Sequence, residues 1–192
     1  MNEILNAIQH RRSCKKYKSD PIPQELIEQV VEAGLFAASA MGKQAPIVIA
    51  VSDKETRDKL CRLNSKYDVM HREDPFYNAP VVLAVLAPKE MGTAVHDGSL
   101  VLGNMMLAAH SLDIGSCWIH RAKEVFEDEE GKALLNSLGI EWEYVGIGHC
   151  ILGYPEVENK NVIPRKEGRV YRIYKRKKDG VSRPFAVDMF IF

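Results

Sequence analysis

A basic cluster near the N-terminus, Arg11-Arg12-Ser13-Cys14-Lys15-Lys16, contains residue types that suit phosphate binding. Arginine offers a rigid fork of donors, lysine a point charge and serine a hydroxyl, and together these match the oxygens of a phosphate. Ile4, Leu5 and Ile8 precede the cluster at helical spacing. Pro21 follows it, so the cluster is expected where a short helix gives way to an extended link. A solvated helix end, with cations favoured by the helix dipole, is the alternative interpretation.

The composition is that of an ordinary folded domain. The chain has 192 residues, of which 46% are hydrophobic and 27% charged, and its formal net charge is zero. This charge balance gives no reason to expect a nucleic-acid partner, and no uncharged run is long enough to cross a bilayer. The N-terminus lacks the apolar stretch of a secretory signal, and the four cysteines show no metal-ligand spacing. We therefore expect a cytoplasmic protein with reduced thiols and neither a metal site nor a membrane partner.

The elements that must position the cluster follow from the apolar pattern. The sequence predicts helices over 23–40, after a cap at Ser52 or Asp53, over 95–111 and over 124–138. It predicts strands over 46–51, 80–87, 115–121, 142–152 and 169–174. Residues 66–79 are polar and irregular, which predicts a loop. The helix over 95–111 is apolar on all sides, which is typical of a core helix or of a subunit interface. Interleaved helices and short apolar strands predict a three-layer α+β or α/β domain.

Several further segments, taken in order with the basic cluster, carry a family resemblance. They are Ala38-Ser39-Ala40-x-x-x-Gln44, Asp97 leading into Asn104-x-x-Leu107-x-Ala109, Gly115-Ser116-x-Trp118-Ile119, and Gly148-x-x-x-Leu152-Gly153-Tyr154-Pro155. Together with Arg11-Arg12-Ser13-x-Lys15, this ordered set resembles the FMN-dependent nitroreductase family. The resemblance extends to about Lys166. It implies an α+β fold with a mainly antiparallel central sheet between helices, in an intertwined homodimer that holds two FMN molecules at its interface.

In this family the matching basic cluster grips the FMN phosphate and reaches the ribityl chain and the ring edge. The resemblance assigns these contacts to Arg11, Arg12, Ser13 and Lys15. Lys15 near the pyrimidine edge would favour the anionic reduced ring and ease hydride acceptance. The basic pair Arg165-Lys166 resembles one that returns to the phosphate, although an exposed turn is the alternative.

The resemblance also assigns two neutral segments to the flavin. Ser39, Ala40, Met41 and Gln44 resemble the stretch that the partner subunit lays along the flavin, although a tightly packed helix end explains the same small residues. Many members have Asn at the position of Gly42 and Pro-Trp at Ala45-Pro46, so we expect this stretch to act through its backbone.

Trp118, Ile119 and His120 resemble the extended segment whose backbone N–H groups address flavin N5. His120 is a candidate proton donor, with a purely structural role as the alternative. Trp118 also suits an ordinary core position.

The resemblance implies an NAD(P)H-dependent FMN oxidoreductase with ping-pong kinetics. A hydride from NADH or NADPH would pass through flavin N5 to a small-molecule acceptor such as a nitroaromatic or a quinone. Alternatives on the same fold are FMN fragmentation, reductive dehalogenation and dehydrogenation, or a flavin-binding protein without physiological turnover. Residues 1–174 are expected to form the FMN-binding domain. The apolar C-terminal tail, residues 175–192, is expected to pack on the partner subunit.

Overall fold

The computed structural model describes residues 2–140, 143–157 and 163–173. The chain divides into two units, Met1–Asn159 and Lys160–Phe192. In the second unit, residues 163–173 are irregular and exposed. The predicted edge strand at 169–174 is therefore wrong over its described part, since alternating basic residues suit an extended, solvated segment equally well. The predicted tail, residues 175–192, lies outside the described residues.

The first unit alternates helices and strands. Its helices are α1 (Glu3–His10), α2 (Gln24–Leu35), α3 (Lys54–Lys66), α4 (Ala94–Ser111), α5 (Ala122–Glu127) and α6 (Glu129–Ser137), and its strands are β1 (Ile47–Val51), β2 (Val81–Pro88), β3 (Gly115–Ile119) and β4 (Tyr144–Gly153). Side chains that accept backbone N–H groups start three of the helices: Asn2 for α1, Asp53, one of the two predicted caps, for α3, and Asp128 for α6. No helix among the described residues is both long and apolar enough to cross a bilayer.

The four strands form one antiparallel sheet in the order β1-β2-β4-β3. Strand β2 pairs Ala84 with Ile49 of β1 on one side and with His149 of β4 on the other. Strand β3 pairs with β4, placing Ile119 opposite His149. The predicted antiparallel centre is therefore confirmed, and β3 is an edge strand of the described sheet.

Helices cover both faces of this sheet. Alternate residues of β2 face opposite sides, so that Val82 and Leu86 enter one apolar cluster while Leu83 and Val85 enter another. The first cluster lies under α3, α5 and α6, and the second lies under α2 and α4. Both faces of β2 are buried, which explains its continuous apolar sequence. The predicted three-layer α+β architecture is confirmed.

Two predicted helices differ in extent from the observed ones. The helix predicted over 23–40 ends at Leu35, and the helix predicted over 124–138 breaks at Asp128 into α5 and α6. Asp128 has extended backbone, and its carboxylate accepts the Glu130 N–H at the start of α6. The same carboxylate accepts the Tyr67 hydroxyl at 2.7 Å. Because that partner is remote in sequence, the local pattern could not show the break.

Helix α4 is buried on one face only within this chain. Val101, Leu102 and Met105 pack on the sheet side, whereas Val95 and Leu100 are exposed. Helix α1 likewise has no buried residue and exposes Ile4, Leu5 and Ile8. Of the two interpretations of the apolar central helix, complete burial in the core is thus wrong for the single chain, and apolar surface remains on both helices.

Candidate functional site

The basic cluster lies along the outer edge of β3. Ser13 forms a parallel bridge with Ser116, and the Cys14 N–H donates to the Ser116 carbonyl at 2.9 Å. Tyr17 pairs in turn with Pro155, just past the end of β4. The buried Tyr17 hydroxyl donates to the Cys14 carbonyl at 2.7 Å, and burial raises the pKa of Tyr17 well above its ordinary value. The backbone of the cluster therefore holds it against the sheet, and its cationic side chains are not needed for this attachment.

Two guanidinium nitrogens of the cluster are buried and have no hydrogen-bond partner among the described residues: Nη1 of Arg11 and Nη2 of Arg12. Nη1 of Arg12, by contrast, donates to the carbonyls of Gln9 and Arg11, both at 2.7 Å, and so caps α1. The helix-end interpretation is thus correct for one nitrogen of Arg12. A buried cationic N–H without an acceptor is costly, so the two remaining nitrogens fit an anionic group.

The positive charge of the basic cluster affects the pKa of two neighbouring groups, His110 and Cys117. Burial lowers the pKa of His110, in the last turn of α4, and the charges of Arg11 and Arg12 lower it further. Burial raises the pKa of the Cys117 thiol, while a hydrogen bond with Ser13 and the charge of Arg11 act in the opposite direction. In both groups burial is the larger cause of the pKa shift, and the arginine charges add a smaller contribution that is favourable to a nearby negative charge.

Strand β3 carries the second predicted segment to the same edge. Trp118 is half-buried and packs on Gly148. A Cβ atom at position 148 would lie only 2.7 Å from the indole Nε1, so the indole needs a glycine there. Ile119 is buried in the core, which leaves its backbone rather than its side chain for a ligand. His120 follows the strand and is exposed, and its proposed role as a proton donor stays a prediction.

A buried amide, which the sequence pattern did not single out, fixes the end of β3. Asn64 of α3 is 1% exposed, and its Nδ2 donates to the His120 carbonyl at 2.8 Å. The same nitrogen lies 3.4 Å from Nδ1 of His149, which is fully buried. Asn64 lies on a mostly polar helix, so only its distant partners could have revealed this role.

The predicted loop over 66–79 is fastened to the rest of the fold. Arg57 of α3 is buried at 8% exposure although it is charged. It donates to the Ala79 carbonyl at 3.0 Å and pairs with Asp74 at 3.1 Å. The loop also reaches the basic cluster, because the Tyr77 ring lies 5.5 Å from the Lys15 ammonium. Sequence reasoning missed Tyr77, since nothing local to it signals a contact with Lys15.

The predicted neutral segment, Ser39 to Gln44, is shaped by its backbone. Ala40–Gly42 forms a short 3₁₀ turn, and the Gln44 N–H donates to the Ser39 hydroxyl at 2.9 Å. Three of its residues have left-handed backbone: Met41 (φ 54°), Gly42 (φ 65°) and Gln44 (φ 50°). Glycine adopts this conformation at no steric cost, which explains Gly42 where an asparagine is common. Met41 is 85% exposed, so its side chain is open to a ligand or a second chain.

Asp97 attaches this segment to the first turn of α4. Its buried carboxylate accepts the Ala40 N–H at 3.3 Å to each oxygen and the Thr93 hydroxyl at 3.2 Å. The cluster with Arg11 lies instead near His110 in the last turn of the same helix. Thirteen helical steps at 1.5 Å separate the two positions by roughly 20 Å. Within one chain, therefore, the structure does not bring Ser39–Gln44 to the basic cluster.

Arg165 and Lys166 belong to the second unit of the chain, where both are exposed. Their predicted contact with a phosphate stays a prediction. The four cysteines are free thiols. Among the described ranges, no group of three or more His, Cys, Asp or Glu side chains is arranged to hold a metal ion.

Replacing Asp97 by alanine is expected to lower the free energy of unfolding by about 1–3 kcal/mol, because a buried N–H and a hydroxyl lose their acceptor. The 39–44 segment should loosen at the same time, so that trypsin cleaves after the exposed Lys43 several times faster. Asp97→Asn keeps an acceptor oxygen and serves as the control. Unchanged cleavage after Lys43 in Asp97→Ala would show that the carboxylate does not hold this segment.

Comparisons with known proteins agree with this architecture. The nitroreductase family model matches residues 8–154. A protein of Archaeoglobus fulgidus whose name pairs NADH dehydrogenase with NAD(P)H nitroreductase is 32% identical over 164 residues, 82% of this chain and 88% of the relative. A relative of the same name from Methanothermobacter thermautotrophicus is 32% identical over 120 residues, so the match spans 60% of each chain.

A solved structure gives the same result. The crystal structure of a nitroreductase with bound FMN from Bacteroides fragilis superimposes with a TM-score of 0.78 at 29% identity, covering 88% of this chain and 98% of that one. The sequence match includes the basic cluster, both β3 and β4, and the 39–44 segment. The chain therefore belongs to the nitroreductase family.

Proposed function

We propose that this chain is an NAD(P)H-dependent FMN oxidoreductase that passes reducing equivalents from NADH or NADPH to an organic acceptor such as a nitroaromatic or a quinone. The two substrates would use one pocket in turn, with ping-pong kinetics. The family, the FMN bound by the Bacteroides fragilis relative and the names of the archaeal relatives support this proposal. The four free thiols agree with a reducing compartment, and we propose the cytoplasm.

The observation that carries the proposal is the pair of unpartnered buried nitrogens, Nη1 of Arg11 and Nη2 of Arg12. They lie beside a sheet edge where the charge of Arg11 acts on both His110 and Cys117. Phosphate oxygens are the acceptors that a guanidinium fork matches best. The cluster thus fits the phosphate of FMN, with Ser13 and Lys15 as further donors.

Bound FMN would supply hydride transfer at its N5 atom. The chain's own residues would bind and orient it. Arg11 and Arg12 would hold the phosphate, and Lys15 would place a positive charge at the ring edge. The backbone of Trp118 to His120 would lie against the ring, and its position is fixed by the hydrogen bond from Asn64 to the His120 carbonyl.

A second copy of the chain would complete the site. The 39–44 segment lies at the far end of α4 from the cluster, and Met41 is exposed. The apolar surface on α1 and α4 (Ile4, Leu5, Ile8, Val95, Leu100) is what a dimer interface would cover. We therefore propose a homodimer in which each site takes its cluster from one protomer and its 39–44 segment from the other.

The activity is tested directly by reduction of the bound flavin. Purified protein is expected to bind FMN in a yellow form, and anaerobic NADH or NADPH should bleach it within the time of a stopped-flow trace. Initial rates with p-benzoquinone should give parallel double-reciprocal lines, as ping-pong kinetics require. A protein that takes up no FMN, or whose FMN neither nucleotide reduces, would exclude the proposal.

The shared site is tested by mixing two defective chains. One carries Arg11→Ala with Arg12→Ala, and the other lacks the 39–44 segment's anchor through Asp97→Ala. A mixed dimer has one doubly defective site and one intact site, so it is expected to recover tight binding of one FMN per dimer. If co-expressed chains bind FMN no better than either parent, each site belongs to a single protomer.

A further inference from the structure

The ring of Tyr77 lies close to two cations. The Lys15 Nζ atom is 5.5 Å from the ring centroid, and the Arg72 Cζ atom is 5.7 Å from it. Arg72 also donates from Nη1 to the Tyr77 hydroxyl oxygen at 2.5 Å. Asp68 in turn holds Arg72, accepting from Nε at 2.7 Å and from Nη2 at 2.8 Å. The Tyr77 ring is thus fixed by the loop itself, while Lys15 comes to it from the basic cluster.

The backbone at Tyr77 is strained. Tyr77 (φ 53°) and Asn78 (φ 57°) are consecutive non-glycine residues with left-handed backbone. Asp74 holds this conformation, since its carboxylate accepts the Asn78 and Phe76 N–H groups and its carbonyl accepts the Tyr77 N–H. The Arg57 guanidinium holds the half-buried Asp74 carboxylate through an ion pair at 3.1 Å. Strain of this kind persists only where surrounding structure enforces it, and it concentrates at functional sites.

Within the described part of the chain, Lys15 has no hydrogen bond or ion pair that defines where its ammonium lies. Its side chain is exposed, and a free lysine ammonium on its flexible stem samples many rotamers. The face of an aromatic ring attracts an ammonium through its quadrupole, and a fixed ring therefore limits where the ammonium can go. The loop that supplies Tyr77 thus acts on the one lysine of the cluster that is assigned to the ring edge of the flavin.

We propose that Tyr77 is a positioning residue, whose ring holds the Lys15 ammonium at the edge of the site where negative charge develops on reduced FMN. This inference rests on the proposed function, because it concerns the same flavin. It assigns a role to the 66–79 loop: the loop tunes how much more tightly the site binds reduced than oxidised FMN. Tyr77 does so without touching the reacting atoms.

The test is the two-electron midpoint potential of FMN bound to the full-length protein, measured anaerobically by dye equilibration. Tyr77→Leu removes the ring face. The ratio of the affinities for reduced and oxidised FMN is expected to fall about tenfold, which lowers the midpoint potential of the two-electron couple by about 30 mV. Tyr77→Phe keeps the face and loses only the hydrogen bond from Arg72, so its preference is expected within about twofold of the wild type. A Tyr77→Leu potential equal to that of the wild type would overturn the proposal.

Coupling to Lys15 separates positioning from general damage. In a Lys15→Met background, Tyr77→Leu is expected to leave the potential unchanged, because the ammonium it would position is absent. An equal shift in both backgrounds would mean that Tyr77 acts on the flavin independently of Lys15, and the proposal would be wrong. Trifluorophenylalanine at position 77 keeps the ring's shape while weakening its negative face, so it gives the same test if Tyr77→Leu fails to fold. Wild-type protein that binds no FMN would instead exclude the proposed function.

Discussion

Replacing Arg11 by alanine is expected to raise the Kd for FMN by about 10- to 100-fold, which corresponds to the loss of a charge-assisted hydrogen bond to phosphate. Arg12→Ala should have an effect of similar size. Each residue carries a buried guanidinium nitrogen that no described group satisfies. Because the lost contacts are ionic, the dependence of the Kd on salt should also weaken in both variants. Fluorescence titration of the flavin-free protein at two salt concentrations measures both effects.

The two arginines should differ in their effect on folding. Arg12 also donates to the carbonyls of Gln9 and Arg11, so Arg12→Ala is expected to cost about 1 kcal/mol of stability that Arg11→Ala does not. Lys16→Ala is the matched control, since Lys16 is an exposed cation of the same cluster without an assigned contact. If Arg11→Ala and Arg12→Ala both stayed fully loaded with FMN, the cluster would be no more than a charged helix end.

The fold was largely predictable because its strands are defined by burial. The run from Val81 to Ala87 is apolar at every position since both faces of β2 are covered. Asp53 was predictable as a helix start because its carboxylate acts on its own neighbours. The break at Asp128 was not, because its partner Tyr67 comes from another helix end. Local patterns therefore predict an element, while distant contacts decide where it ends.

The candidate site shows the same division. Arg11 and Arg12 are adjacent in sequence, so their chemistry could be read directly and their unpartnered nitrogens agree with it. Asn64 and Tyr77 act only through residues more than fifty positions away, the His120 carbonyl and the Lys15 ammonium. An amide on a polar helix and a tyrosine in a polar loop resemble ordinary surface residues until the fold brings their partners to them. Only a resemblance could suggest a contribution from a second chain.

His149 is expected to make the protein lose stability as the pH falls from neutrality to about 5. Its imidazole is fully buried between Phe76 and Phe126, and burial lowers its pKa from 6.5 to about 3. The unfolded chain therefore takes up a proton at this residue below about pH 6.5, whereas the native chain stays neutral there, so protons favour unfolding. By linkage this one group removes about 2 kcal/mol between pH 7.5 and pH 5.

Urea unfolding at a series of pH values tests this, with His149→Leu compared with the wild type. Between pH 7.5 and pH 5 the free energy of unfolding is expected to fall by about 2 kcal/mol less in the variant than in the wild type. At neutral pH the free energy of unfolding of His149→Leu should be close to that of the wild type, because the leucine also removes the buried Nε2, which has no partner among the described residues. His110 also has a lowered pKa and contributes in the same direction, but equally in both proteins, so the difference isolates His149. His96→Gln is the control: it removes an exposed imidazole and should leave the pH dependence of the free energy of unfolding unchanged. If the free energy of unfolding depended on pH in the same way in His149→Leu and the wild type, the buried imidazole would take up its proton in the native protein as readily as in the unfolded chain. Its apolar surroundings would then have to open to water.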